Sequence, residues 1–451
     1  LSPDEYSQLK RAFQGGFTHA NPMYSGKIVE NVTSFDFTSS YPAVMIAEKF
    51  PMGKAEKINR VFKDDIKELE KILSAYCCIF DVEFIGLKSK IYFESYISES
   101  RCFKKEKPVI NNGRIVSADC IRTTITEQDF IIIKAMYKWE HITVINLRRY
   151  LKGYLPTDFV KAILELYSMK TTLKGVEGKE VEYLKGKEML NSCYGMAVTD
   201  ICRDEIIYCD EWDKEEADVE TEIKKYNNNR GRFLFYPWGV WVTAYARRNL
   251  FTGIFEFKKD YIYSDTDSIK VRNAENHKSY IEKYNKYITE KLEKAMDHHK
   301  IKIDCIRPKT IKGVEKPLGV WDFDGNYSRF KTLGAKRYLV EYSSDPGNGG
   351  AKNEINLTVA GLNKKACVPY LLKRYGKNGI FEAFSNWLEI PGGYTGKLTH
   401  TYIDVEREGT VTDYLGNKCE YYEKSGIHLE PAEYSLNLAQ EYINYLKTLI
   451  T

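Results

Sequence analysis

The sequence reads as an α+β protein in which short strands alternate with long helices around a small set of clustered acids. Three observations carry this. Residues 32–37, 260–263 and 269–271 have the β-branched and aromatic make-up of strands. Residues 159–173, 179–194, 238–257 and 277–299 carry helical periodicity. At 451 residues, 43% hydrophobic and 29% charged, the chain is soluble in type and long for one core, which predicts two to four subdomains.

In chain order, the strand at 32–37 runs into Ser39-Ser40-Tyr41-Pro42, a helix start with a hydroxyl at the cap and Pro in the first turn. Residues 57–74 are expected to be helical and 78–84 a strand. Thr157-Asp158 caps the helix at 159–173, Gly175 and Gly178 break it, and the next helix follows, giving a basic helical hairpin. Residues 238–257 read as a buried helix with Thr243 and Arg247 one turn apart. A mixed strand and helix tail runs to Thr451. Ten scattered cysteines without a CxxC pair point to reduced thiols and away from a zinc site or disulfide frame. The His298-His299 pair reads as solvated helix surface, no apolar run approaches membrane-span length, and no secretory signal opens the chain.

The formal net charge of +4 decides little, but its distribution is uneven. Residues 300–337 hold ten Lys and Arg against four Asp and Glu, interleaved with Trp321, Phe323, Tyr327, Phe330 and Tyr338. On charge alone, that strip fits a phosphate backbone and a solvated face equally well. Residues 210–222 reverse the balance, with eight acids against one lysine.

The chemistry concentrates in three strings. YSDTDS sets Asp265 and Asp267 one residue apart at the tip of a strand pair, where two carboxylates repel unless a hard divalent cation joins them. In SFDFTSSYP, Asp36 ends a strand just before a helix N-terminus, whose free N–H groups at Ser39, Ser40 and Tyr41 suit a polyphosphate. In the second hairpin helix Lys187, Asn191 and Tyr194 fall at i, i+4 and i+7 and share a face. Singly, these are a turn, a cap and a helix face.

In the order DFTSSYP, KEMLNSCYG, YSDTDS, they resemble motifs A, B and C of family B DNA polymerases. RAFQGGFTHAN at Arg11 resembles the Tyr-x-Gly-Gly motif of the protein-primed bacteriophage (phi-twenty-nine-like) branch. GVWVTAYAR at Gly239 is similar to the helix before motif C, while LGVWDFDG and AKRY resemble the segment ending in Lys-x-Tyr. The resemblance runs from about residue 11 to 362 and implies a right-hand fold of palm, fingers and thumb with two insertions. Its expected segments are palm 1–51, insertion one 52–153, fingers 154–196, insertion two 197–235, palm 236–345, and thumb with C-terminal region 346–451.

The resemblance also implies roles. Asp36 and Asp267 would hold two Mg²⁺ ions, with Mn²⁺ as a substitute, helped by Asp265 and the Phe37 carbonyl, for in-line nucleotidyl transfer. Lys170 and Lys187 would bind the triphosphate, with Ser39 and Ser40 at the helix start. Tyr41 would exclude a ribose 2′-hydroxyl, and Asn191 and Tyr194 would shape the nascent-pair pocket. Gly15, Gly16, Phe17, Thr243, Arg247, Lys336 and Tyr338 would contact DNA. Implied partners are primer-template DNA, deoxynucleoside triphosphates, a terminal priming protein and a separate exonuclease chain, in a bacterial host cytoplasm and without a membrane.

Two departures stand out: Phe13 replaces the tyrosine of the Gly-Gly motif, and Tyr183 a phosphate-binding lysine. Relatives carry an exonuclease domain before the Gly-Gly motif, whereas ten residues precede Arg11 here, so this chain is expected to extend primers without editing them. FDVEF at Asp81 and Glu83 and YLPTD at Asp158 mimic exonuclease strings by chance. The acidic run is expected to face a basic protein partner or solvent. Two other readings stay open: the same chemistry on an ordinary nucleic-acid primer, and a catalytically silent nucleic-acid-binding subunit.

Overall fold

The computed structural model describes residues 1–209, 211–343, 354–359 and 362–390, and the backbone of five short strands from 398 to 435. It divides into two compact units, one formed by Leu1–Met23 and Thr33–Gly325, the other by Tyr24–Val32 and described residues from 326 onward.

In the first unit, an antiparallel sheet orders Thr18–Ala20, Tyr261–Asp265 and Ser268–Val271, followed by residues 33–36 of the Ile28–Phe37 strand. These strands are rich in Val, Ile, Tyr and Phe, which fit a pleated surface buried against helices. The helix Tyr236–Phe257 is apolar almost all round and buried almost all round, as such a helix must be. It packs against Ser40–Ala47, Glu127–Met136 and Glu180–Ala197. The fingers form as a hairpin of Thr157–Thr172 and Glu180–Ala197, in contact where Gly186 faces Met169 and a Cβ would lie 3.2 Å from the Met169 Cβ.

Residues 50–153 build a separate eight-stranded antiparallel sheet whose main path is Phe50–Ile58, His141–Gly153, Cys77–Ser89, Arg114–Thr126 and Cys102–Glu106. The helix expected at 57–74 is shorter: it starts at Ile66, where Asp65 caps it by accepting from the Glu68 N–H, and the preceding residues are strand and turn. Asp81 is buried in this sheet, bonded by Thr124, Asn146, Gln8 and Arg11. Glu83 pairs with Arg122.

Glu205–Cys209 pairs antiparallel with Glu211–Glu215, and Val219–Asn228 is a helix capped by Asp218. Asp210 lies outside the described residues. Local lysines answer part of the acidic run, with Lys224 against Glu220 and Lys225 against Glu222.

The second unit pairs the Trp321–Gly334 strand, from residue 326, with Arg337–Tyr342, and that with Ile355–Val359. Leu339, Leu357, Cys367, Leu371 and Phe381 fill its core beneath the helical segment Lys364–Ala383, which kinks at Gly376 (φ 69°). Burial pushes the Glu341 carboxyl up, but Arg329, Lys377 and Ser328 outweigh that and hold it at about 2. Much of the expected thumb, 346–451, lies outside the described residues. Among the described residues, no helix is long and apolar enough to cross a membrane.

Burial corrects several expectations. His299 is not solvated surface: it is 7% exposed, and its Nδ1 meets the Thr157 hydroxyl at 2.9 Å. In the basic strip Trp321, Tyr327 and Phe330 are core residues, leaving Phe323 as an exposed ring. Several of its cations are spent locally, Lys309 on Glu315 and Lys316 on Asp322.

Arg247, expected from the sequence to contact DNA, is 2% exposed in this structure and engaged by neighbouring groups. It pairs with Asp129 at 2.7 Å and donates to the Tyr96 hydroxyl and the carbonyls of Gln14 and Gly15. Its work is structural, tying the Gly-Gly loop to the buried helix. Arg247→Ala leaves Asp129 buried without its partner and is expected to lower the unfolding free energy by about 3–5 kcal/mol. Urea denaturation checks this; a loss under about 1 kcal/mol would contradict the role.

Candidate active site

The site is assembled by one strand ladder. Ser268 pairs with Asp36 across the sheet, Lys270 with Ser34, and the hairpin closes with Asp265 opposite Ser268. The Phe37 N–H donates to the Asp267 carbonyl at 2.8 Å, so the ends of the two motif strands are held by their backbones. Between the acids, Thr266 takes a left-handed conformation (φ 59°) and its N–H donates to the Phe17 carbonyl at 2.7 Å. Gly16 leaves room for that turn: a Cβ there would come within 2.6 Å of the Thr266 side chain. Gly15 is exposed, and a Cβ on it would meet nothing within 4 Å, so open approach belongs to Gly15, whereas Gly16 is explained by the turn.

Burial and the neighbouring carboxylate raise both central acids. Asp36 is pushed from its ordinary 3.8 up to about 7, by burial first and then by Asp267; Lys270 and Lys170 pull it back only in part. Asp267 rises to about 6, by burial and then Asp265. The Asp265 carboxylate accepts from Thr18 at 2.8 Å and from Thr266 at 3.1 Å. Among the described residues, no three His, Cys, Asp or Glu side chains form a preformed metal cage. Two oxygen-donor groups that destabilise each other are nonetheless the donor set a hard cation takes, and binding one would relieve their repulsion.

Beside the acids lies a cavity of about 390 Å³, whose lining includes Asp36, Asp267, Tyr41, Lys170, Lys174, Asn191, Lys316, Asp322 and Asp324. The helix Ser40–Ala47 starts at this cavity. Ser39 does not cap it through its side chain as expected; it is left-handed (φ 56°), and its hydroxyl instead accepts from Lys170 Nζ at 2.8 Å. That leaves the first-turn N–H groups without a side-chain cap. Thr38 laces the loop to the next segment, exchanging backbone hydrogen bonds with Val320 and Gly319. Phe37 stacks on Trp321 with centroids 3.6 Å apart.

From the fingers, Lys170 reaches the site with its ammonium disfavoured by burial and then by Lys187, while Asp36 and Asp267 oppose that shift. Lys187 and Asn191 are exposed, and the Tyr194 ring lies 4.5 Å from that of Tyr41. The sequence-singled residues Asp36, Tyr41, Lys170, Asn191 and Asp267 thus line one cavity, with Tyr194 against Tyr41. Thr243 and Phe17, expected from the sequence to contact DNA, are both buried. Thr243 is fully buried, its hydroxyl donating to the Val240 carbonyl at 3.2 Å, and Phe17 is 1% exposed against Phe251. Lys336 and Tyr338 belong to the second unit, Lys336 at the turn before Arg337–Tyr342 and Tyr338 stacked on Phe330 at 5.6 Å.

Sequence reasoning missed Lys316, Asp322 and Asp324 as cavity residues and Lys270 behind them. The acid-x-acid spacing of Asp322 and Asp324, the same as in YSDTDS, was the available signal.

The raised acids make a signed prediction. Their folded values lie above the unfolded ones, so the folded state holds protons that the unfolded state has released. Their contribution to stability is therefore complete below about pH 4 and is lost as pH rises through about 6 to 7. In metal-free buffer, Asp36→Asn is expected to flatten the fall in stability between pH 5 and pH 8. Parallel denaturation profiles for the wild type and the variant would contradict the coupling.

Comparison with known proteins agrees with this architecture. The sequence pattern of the family described as "DNA polymerase type B, organellar and viral" matches residues 1–294. The DNA polymerase of Bacillus phage B103 is 24% identical over 340 residues, covering 74% of this chain and 50% of that protein. That of Bacillus phage Nf is 24% identical over 339 residues with the same coverage. The chain thus spans about half the length of the curated relatives it matches. The solved structure of phi29 DNA polymerase with primer-template DNA and incoming nucleotides shares the fold, at TM-score 0.59 and 19% identity, covering 97% of this chain and 63% of that one. With well over half its length matched by the family pattern, this chain belongs to the organellar and viral type B DNA polymerases.

Proposed function

We propose that this chain is a template-directed DNA polymerase that adds deoxynucleotides to a primer 3′-hydroxyl, working in the protein-primed replication of a phage or mobile-element genome. The observation that carries the reading is that Asp36 and Asp267 line one cavity together with Lys170, Asn191 and the uncapped start of the Ser40–Ala47 helix. Acids for a cation and cations for a polyphosphate, side by side, suit a nucleoside triphosphate.

Asp36 and Asp267 would hold divalent ions, Mg²⁺ or Mn²⁺, with Asp265 and the Phe37 carbonyl assisting. Such ions supply activation of the attacking hydroxyl and neutralisation of the departing pyrophosphate. Lys170 and Lys187 bind triphosphate oxygens, and the first-turn N–H groups of the Ser40–Ala47 helix add partial positive charge. Tyr41, backed by Tyr194, forms the floor against which the sugar sits. Its bulk rejects a 2′-hydroxyl. Gly15 offers open backbone to a template strand, and Lys336 and Tyr338 steady the primer terminus. The sheet at 50–153 and the hairpin and helix at 205–228 face the priming protein, the acidic run meeting a basic surface on it. The strings at Asp81 and Asp158 take no part in editing: Asp81 is consumed by its sheet neighbours, and any exonuclease acts from elsewhere.

Primer extension on a templated substrate tests the proposal. Asp267→Ala is expected to cut incorporation by at least about 10³-fold, whereas equal signal in the variant would favour a silent binding subunit. Tyr41→Ala should raise the ribonucleotide-to-deoxynucleotide ratio by about tenfold or more, a change of about 1.4 kcal/mol. Unchanged sugar selectivity would remove Tyr41 from the gate.

A further inference from the structure

Behind the acid pair lies a lysine that the mechanism above does not use. Lys270 is 4% exposed, inside the sheet, and Ser34 opposite it is fully buried. The Lys270 Nζ donates to the Ser34 hydroxyl at 2.7 Å, and that hydroxyl donates to the Asp324 carboxylate at 2.9 Å. Ser34 is two residues before Asp36 on the same strand, so both side chains lie on one face of the sheet. Lys270 and Ser268 stand opposite them on the neighbouring strand. Asp324 lines the cavity beside Asp36 and bears electrostatically on it.

A buried ammonium is costly unless it is hydrogen-bonded and answered by negative charge. Here the answer is arranged through a hydroxyl, which must point its proton at Asp324 because its lone pair accepts from the lysine. The relay is directional, and it ends on a carboxylate at the cavity wall. Nothing in a routine palm strand calls for such a residue at that depth; a valine would fill the space without a charge to satisfy.

We propose that Lys270 is a positioning residue which, through Ser34, fixes Asp324 beside Asp36 and so sets the acidic face that receives a divalent cation. The inference rests on the metal-dependent reading above. A rival account, in which Lys270 acts only as a nearby positive charge, gives the opposite sign. Removing a cation from an acid cluster strengthens cation binding, whereas losing a strut weakens it.

The test is Mn²⁺ binding to the full chain without nucleotide or DNA, followed by electron paramagnetic resonance. Ser34→Ala changes no charge and little volume, and is expected to weaken Mn²⁺ binding by roughly tenfold, as Lys270→Met and Asp324→Asn each do. The Lys270→Met/Asp324→Asn double variant is expected to weaken it no further than either alone. Unchanged affinity in Ser34→Ala, or tighter binding in Lys270→Met, would overturn the proposal. A second arm in metal-free buffer measures unfolding of the same variants. Lys270→Met and Asp324→Asn should be non-additive, and their coupling should shrink once Ser34 is alanine, leaving only the direct attraction between the two charges. Additivity with Ser34 intact overturns the relay whatever the metal does. A wild type that binds no Mn²⁺ overturns the two-metal reading alone, because the unfolding arm still reads the relay.

Discussion

The structure depends on a conflict that the backbone enforces. Asp36 and Asp267 repel each other, yet the strands that carry them are hydrogen-bonded, Ser268 to Asp36 and Phe37 to Asp267, so neither acid can withdraw without breaking the ladder. The surroundings tighten the constraint. Gly16 admits Thr266, Thr266 bonds to Phe17, and Phe17 is locked among Phe251, Tyr96 and Arg114. Strain of this kind persists only where rigid elements hold it, and it is characteristic of sites that bind an ion or tune a proton.

From that constraint the remaining parts take their places. The buried helix Tyr236–Phe257 supplies Arg247, which holds the Gly-Gly loop, and packs against the helix that carries Tyr194, whose ring lies against Tyr41. The finger hairpin brings Lys170 to Ser39 at the start of the Ser40–Ala47 helix. Substitutions in this supporting layer act on the site through geometry, and need not touch any reacting group to alter its chemistry.

Much of this was legible in the sequence, because local chemistry and fold agree there. The strand at 32–37, the finger helices, the buried helix near 238–257 and the strand pair around Asp265 and Asp267 each carry a period or turn signal strong enough to read alone. The helix near 57–74 was overread because apolar spacing runs through a strand and a turn before Asp65 caps the helix that forms. That Asp36, Asp267, Lys170, Asn191 and Tyr41 would meet at one place was legible because motif order, not any single residue, selected them. The burial of Thr243, Arg247 and Phe17 was not legible for one reason: polar or aromatic identity does not reveal burial, and a buried arginine paired to Asp129, more than a hundred residues away, leaves no local trace. Lys270 and Asp324 were missed because their link runs through Ser34 across two strands, and only the fold brings the three together.

The central claim is that the paired acids gather divalent cations next to a nucleotide. The most direct measurement is anomalous diffraction from crystals of the chain soaked in Mn²⁺ with a non-hydrolysable deoxynucleoside triphosphate. The account predicts manganese peaks between Asp36 and Asp267, with the triphosphate beside Lys170 and the start of the Ser40–Ala47 helix. Anomalous density elsewhere, with the acid pair left bare at saturating Mn²⁺, would contradict it.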